Sequence, residues 1–158
     1  MSTPMYANIL VGYDGSKGGR AALAAAATLA KNLGGAVTAL WVREPLPRHS
    51  DLPGEIEEES EAADEYFAAR QREVAEAAAQ SGLPVRCEVA RGHAAKAIIK
   101  FATEGGYDLI VVGHSDHSAL WGRLLGDTAD RIADHAQCSV LVVKTGLSAR
   151  NQTEMPPA

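Results

Sequence analysis

The sequence predicts an α/β fold: a five-stranded parallel sheet with helices on both faces. Three observations predict it. Five short apolar runs rich in β-branched residues recur along the chain. Stretches with helical character separate them. Runs such as Leu109-Ile110-Val111-Val112 and Val140-Leu141-Val142-Val143 are continuously apolar instead of alternating, which suits strands covered on both faces. Strand and helix alternating in this way give a parallel sheet with right-handed crossovers.

The predicted strands are Ile9–Gly12, Ala36–Val42, Val85–Ala90, Leu109–Gly113 and Ser139–Lys144. The first helix, Lys17 to Leu33, is Ala-rich and so intrinsically helical. Ser16 can cap its start, and Gly34-Gly35 can end it in a left-handed turn. The second, Ile56 to Gln80, opens with Glu55, Glu57, Glu58, Glu59 and Glu61 near the positive end of the helix dipole. Tyr66, Phe67, Val74 and Ala78 form its expected buried stripe, the acidic run Glu55–Glu65 is read as a solvated face, and Gly82-Leu83-Pro84 stops it. The third runs from about His93 to Thr103 with Ala95, Ile98, Ile99 and Ala102 on one face. The last runs from Thr128 to Ala136, with Ala129, Ile132, Ala133 and Ala136 inward. Pro45–Gly54 reads as a surface loop. Residues 1–147 read as one domain, and 148–158 as a frayed tail.

Bulk properties narrow the classes. The 158 residues are 46 % hydrophobic with a net charge of −5, which suits a folded domain with a sizeable core. The acidic balance argues against a nucleic-acid partner, which demands a basic face. No run reaches the roughly 18 apolar residues of a membrane span, and Met1 to Asn8 lacks the pattern of an export leader. Cys87 and Cys138 are not in C-x-x-C spacing and are expected to be reduced. The expected location is the cytoplasm.

On such sheets ligands bind beyond the carboxyl ends of the strands, where the strand order reverses. The loops to inspect follow Gly12, Val42 and Gly113. The first, Gly12-Tyr13-Asp14-Gly15-Ser16, offers a carboxylate at a strand end; its structural alternative is a turn and helix cap in which Asp14 bonds local N–H groups. The second, Gly113 to Ser118 followed by Gly122 and Gly126-Asp127-Thr128, has the parts of an anion cradle: strand end, polar loop and helix start.

Other signals are weaker. His114, Asp116 and His117 are read as solvent-facing loop residues, since a structural zinc site needs four placed ligands. No G-x-S-x-G elbow occurs. A receiver-type phosphoacceptor aspartate is missing from the end of the third strand, where Val89-Ala90-Arg91 stands. Trp41 and Trp121 are read as packing or interface residues, and Cys138 as buried and inert.

Taken together, Ile9-Leu10-Val11-Gly12-Tyr13-Asp14-Gly15-Ser16, Asp108-Leu109-Ile110-Val111-Val112-Gly113, Gly126-Asp127-Thr128-Ala129-Asp130-Arg131-Ile132 and His135 to Val143 resemble the universal stress protein family over nearly the whole chain, Asn8 to Lys144. The resemblance implies a Rossmann-like three-layer sandwich with strand order 3-2-1-4-5, a homodimer through Ser139–Val143, and an ATP or AMP site. It places adenosine against Asp14 and the Val42 backbone, and phosphates over Gly113, Gly126 and the residue after it. The implied binding set is Gly12, Asp14, Val42, Val112, Gly113, Asp116, Gly126, Asp127 and Thr128.

The chain departs from the family's G-x-x-G, nine residues, G-S/T pattern. Asp116 replaces the second glycine, and Asp127 replaces the Ser/Thr after the third, with Thr128 following. Like charges at roughly 4 Å repel by about 1 to 4 kcal/mol, so both carboxylates oppose phosphate unless Mg²⁺ bridges the charges or Arg123 and His114 offset them. The reading is therefore a universal stress-type regulatory or stress-response binding protein with a modified adenine-nucleotide site. The alternatives are a weak Mg-dependent ATPase and a dimer that binds no nucleotide and acts through protein contacts.

Overall fold

The computed structural model of the chain describes residues 5–44, 53–114 and 127–145, with side chains described outside 53–60 and 127. Its elements run β1 (Asn8–Gly12), α1 (Lys17–Leu33), β2 (Ala36–Arg43), α2 (Pro53–Ser81), β3 (Val85–Arg91), α3 (Ala94–Gly105), β4 (Leu109–Gly113), α4 (Asp127–His135) and β5 (Ser139–Val143). The five strands form one sheet in the order β3-β2-β1-β4-β5. Every neighbouring pair is parallel, with Ile9 opposite Val37 and Leu109, and Leu109 opposite Ser139. This is the expected order 3-2-1-4-5.

The continuous apolar runs are explained by two cores, one on each face. On one face Ile9, Val11, Val37, Ala39, Leu109 and Val111 pack against α1 and α2 through Ala22, Leu23, Ala26, Ala30 and Val74. On the other face Leu10, Leu40, Ile110 and Val112 pack against α3 and α4 through Ala95, Ile98, Ala102, Ala129 and Ile132. Alternate residues of a strand point to opposite faces, so the central strands must be apolar at both parities. Edge strand β5 divides in the same way: Val140 and Val142 join the α3–α4 side and Val143 the α1 side, while Leu141 remains 37 % exposed.

The helix signals act where the sequence places them. Ser16 Oγ accepts the Gly19 N–H at 3.1 Å. Gly34 ends α1 at φ 75°, donating to the Ala30 carbonyl at 2.8 Å. The alanine face of α1 is buried, and its small side chains let the helix lie close to β1 and β4. At the amino ends of the strands, the Asp108 carboxylate accepts both the Ala7 and Asn8 N–H groups, at 2.9 and 3.0 Å, which ties the start of β1 to β4.

Some expectations are corrected. The second helix begins at Pro53, because proline suits a first helical position; of the expected loop Pro45–Gly54, residues 45–52 lie outside the described residues, as does the tail. Tyr66 is 40 % exposed, whereas Val74 is buried as expected. Ala133 is exposed, because it sits about 100° around the helix from Ile132, off the line of Ala129, Ile132 and Ala136. Cys87 and Cys138 are both free and half-buried. Burial is the main cause that pushes both thiols above their ordinary range, which disfavours the reactive thiolate.

Candidate functional site

The strand order reverses between β1 and β4, with α1 packed on one face of the sheet and α4 on the other; on sheets of this kind ligands bind beyond the carboxyl ends of the strands at such a point. The backbone is crowded there. A Cβ on Gly12 would stand 3.2 Å from both Ile98 Cδ1 and Val112 Cγ1, and one on Gly113 would stand 2.2 Å from the Gly18 carbonyl carbon. These glycines let β1, β4 and the start of α1 converge.

Asp14 lies in the loop after β1 and is exposed. Its Oδ1 accepts the Ser16 N–H at 2.9 Å and the Ser16 hydroxyl. The turn-and-cap reading of this loop therefore holds. It does not exhaust the carboxylate, since Oδ2 takes no hydrogen bond among the described residues. Gly15, at φ 79°, has the left-handed conformation that glycine alone adopts readily.

The neighbouring Tyr13 is 3 % exposed. Its N–H donates to the Leu40 carbonyl at 2.9 Å and its hydroxyl to Glu73 Oε2 at 2.6 Å. Burial, with the Glu73 hydrogen bond and charge, pushes this phenol up to about 12, against an opposing pull from Arg20. Glu73 Oε1 also meets Arg70 Nη2 at 2.8 Å and Arg20 Nη2 at 3.8 Å. The Arg70 guanidinium lies over the Tyr66 ring, 4.4 Å from its centroid, and the Tyr66 hydroxyl donates to the Asp14 carbonyl at 2.7 Å. Trp41, at the end of β2, packs at 4.9 Å against Tyr66 and 5.7 Å against Phe67. That is the packing role expected for Trp41.

The expected site residues thus divide. Gly12, Val112 and Gly113 stand at the adjoining ends of β1 and β4, and Asp14 follows directly. Val42 sits one strand away, half-buried on the α3 side and opposite Ala90. Thr128 is exposed near the start of α4. Asp127 opens that helix, while Asp116 and Gly126 lie outside the described residues, with Gly122, Arg123 and Trp121. Among the described residues no group of three or more His, Cys, Asp or Glu could hold a metal ion. Sequence reasoning missed Tyr66, Arg70 and Glu73, which surround the Asp14 loop. The i, i+4, i+7 spacing was their only signal, and it merges with the charged face of a long helix.

The universal stress protein family matches this chain over residues 5–144. The chain belongs to that family. A universal stress protein of Methanocaldococcus jannaschii is 33 % identical over 142 residues, covering 89 % of this chain and 83 % of its own. The structure of a universal stress protein from Lactobacillus plantarum is similar at a TM-score of 0.73 and 30 % identity, covering 89 % of this chain and 99 % of that one. A universal stress protein solved in complex with cAMP is similar at a TM-score of 0.71 and 26 % identity, covering 90 % and 99 %. Among the described residues no helix of this universal stress protein is long and apolar enough to cross a membrane.

Proposed function

We propose that this universal stress protein is a cytoplasmic regulatory or stress-response protein that binds an adenine nucleotide, AMP or ATP, beyond the carboxyl ends of β1, β2 and β4. The observation that carries the reading is Asp14: an exposed carboxylate, held by Ser16 through one oxygen only, beside the point where the strand order reverses. A carboxylate so placed can accept hydrogen bonds from an adenine amino group or a ribose hydroxyl. The similar universal stress protein that binds cAMP supports the ligand class. In this reading Gly12, Val42, Val112 and Gly113 form the crevice walls, and Gly126, Asp127 and Thr128 face the phosphates.

Asp116 and Asp127 make this a modified site that favours few phosphates over many. Binding is the proposed role, and ATP hydrolysis is the rival reading; phosphate release above a denatured blank decides between them. Titration calorimetry with adenosine, AMP, cAMP and ATP tests the binding itself, and nucleotide retained through purification gives an independent check. The edge strand β5, with exposed Leu141, is the proposed homodimer surface, because among the described residues its outer edge pairs with no strand, and an unpaired apolar edge invites a second chain.

A further inference from the structure

One face of α2 grips the loop after β1 and the last part of β2. Tyr66, Arg70 and Glu73 stand at i, i+4 and i+7, which brings them to a common side of the helix. Tyr66 donates to the Asp14 carbonyl at 2.7 Å. The Arg70 guanidinium lies against Gly15. Glu73 accepts the Tyr13 hydroxyl at 2.6 Å. Each of three successive loop residues is thus held by a different α2 side chain. The same turn of helix holds the end of β2, through Tyr66 and Phe67 against Trp41, the residue just before Val42.

Two features separate this grip from ordinary packing. A Cβ on Gly15 would stand 2.2 Å from Arg70 Nη1, so a side chain at position 15 would displace the guanidinium from the loop, whose φ of 79° already favours glycine. Among the described residues Arg70 Nε is also enclosed without a hydrogen-bond partner. Buried donors are rarely left unpaired, and violations of this kind concentrate at functional places. The guanidinium is held by the Tyr66 ring and the Glu73 carboxylate.

We propose that Tyr66 and Arg70 are positioning residues, which hold the Tyr13–Gly15 loop and the end of β2 in the form that receives an adenine nucleotide. The inference rests on the nucleotide-binding reading above. Neither side chain is assigned a contact with the ligand; both act through the loop. Coupling between two parts of a protein is reciprocal. A nucleotide that needs the loop in this form tightens α2 onto it, and loosening α2 lowers the competent fraction and hence the affinity.

The test measures AMP and ATP affinity of the full chain by calorimetry for wild type, Tyr66→Phe, Arg70→Lys and Arg70→Met. Urea midpoints and hydrogen exchange of residues 66–81 are measured alongside. Tyr66→Phe keeps the ring on Trp41 and removes one hydrogen bond, so Kd rises about 3- to 10-fold. Arg70→Met raises Kd by about 10-fold. Arg70→Lys falls between it and wild type, since it retains charge without the planar fork. AMP slows exchange in this segment of wild type, and less so in Tyr66→Phe. Wild-type Kd in all three variants overturns the positioning role and leaves the nucleotide reading standing. So does lost affinity that merely tracks the urea midpoint while AMP leaves α2 exchange unmoved. A wild-type protein that binds none of AMP, cAMP or ATP overturns the nucleotide reading, and the positioning role with it.

Discussion

Gly18 and Gly113 lie backbone to backbone: a Cβ on Gly113 would stand 2.2 Å from the Gly18 carbonyl carbon, and one on Gly18 would stand 2.9 Å from the His114 carbonyl oxygen. The start of α1 is thereby pressed onto the end of β4. Packing alone requires glycine at 113, whatever ligand lies nearby. Gly113→Ala forces backbone to shift and destabilises the fold by about 1 to 3 kcal/mol, the ordinary range for overpacking. Urea unfolding without nucleotide measures this, and an unchanged midpoint refutes the packing account of Gly113.

The Tyr13 phenol supplies a pH signature. An unfolded tyrosine releases its proton near its ordinary value of 10.0, and folded Tyr13 does so only near about 12. The folded state therefore holds the proton more tightly. This contribution to stability is fully present below pH 10 and is lost as pH rises toward about 12. Of the four tyrosines, one should titrate last in an ultraviolet absorbance titration, and Tyr13→Phe should remove that late component. A late component that survives in Tyr13→Phe belongs to another residue.

The β5 edge gives a test of assembly. Val142 packs into the α3–α4 core, so changing it confounds folding with association. Leu141 is 37 % exposed on the opposite face and is the cleaner probe. Light scattering at micromolar concentration should show a dimer for wild type and a shift toward monomer for Leu141→Lys. A wild-type monomer, or a dimer indifferent to this change, contradicts the assignment.

The charge account of the phosphate loop predicts an order of ligands. Without Mg²⁺, affinity should fall from AMP to ATP, because each phosphate adds negative charge near Asp116 and Asp127. The double change Asp116→Gly, Asp127→Ser should reverse that order with a gain of roughly 5- to 150-fold for ATP, equivalent to about 1 to 3 kcal/mol. The gain should shrink with salt, since exposed charges are screened beyond about 10 Å at roughly 0.1 M. Calorimetry that finds ATP bound more tightly than AMP by wild type without metal, and no gain in the double variant, removes the account.

The frame of the molecule was legible because it is written in local patterns. Runs such as Leu109–Val112 are apolar at both parities, and Ser16 and Gly34 mark the ends of α1 by their own chemistry. The strand order and the family came from motif residues such as Asp14 and Gly126-Asp127-Thr128. The grip of α2 on the Asp14 loop was not legible. Tyr66 meets Asp14 across 52 residues and Glu73 meets Tyr13 across 60, and no local pattern encodes such pairings. Tyr66 even misleads as an apolar residue on the expected buried stripe, because its ring packs on Trp41 while its hydroxyl reaches the loop backbone. The tight approach of Gly18 to Gly113 was hidden for the same reason.

Calorimetric titration of AMP into wild type, Asp14→Asn and Asp14→Ala tests the central claim most directly. Asp14→Asn keeps an oxygen for the Ser16 turn and removes the charge; Asp14→Ala removes both. Wild type should bind. Asp14→Asn should bind more weakly, and Asp14→Ala about 10-fold or more weakly than wild type, with the circular dichroism of all three alike. Equal affinity in the three proteins, or no binding by wild type, would contradict an adenine-nucleotide site built on Asp14.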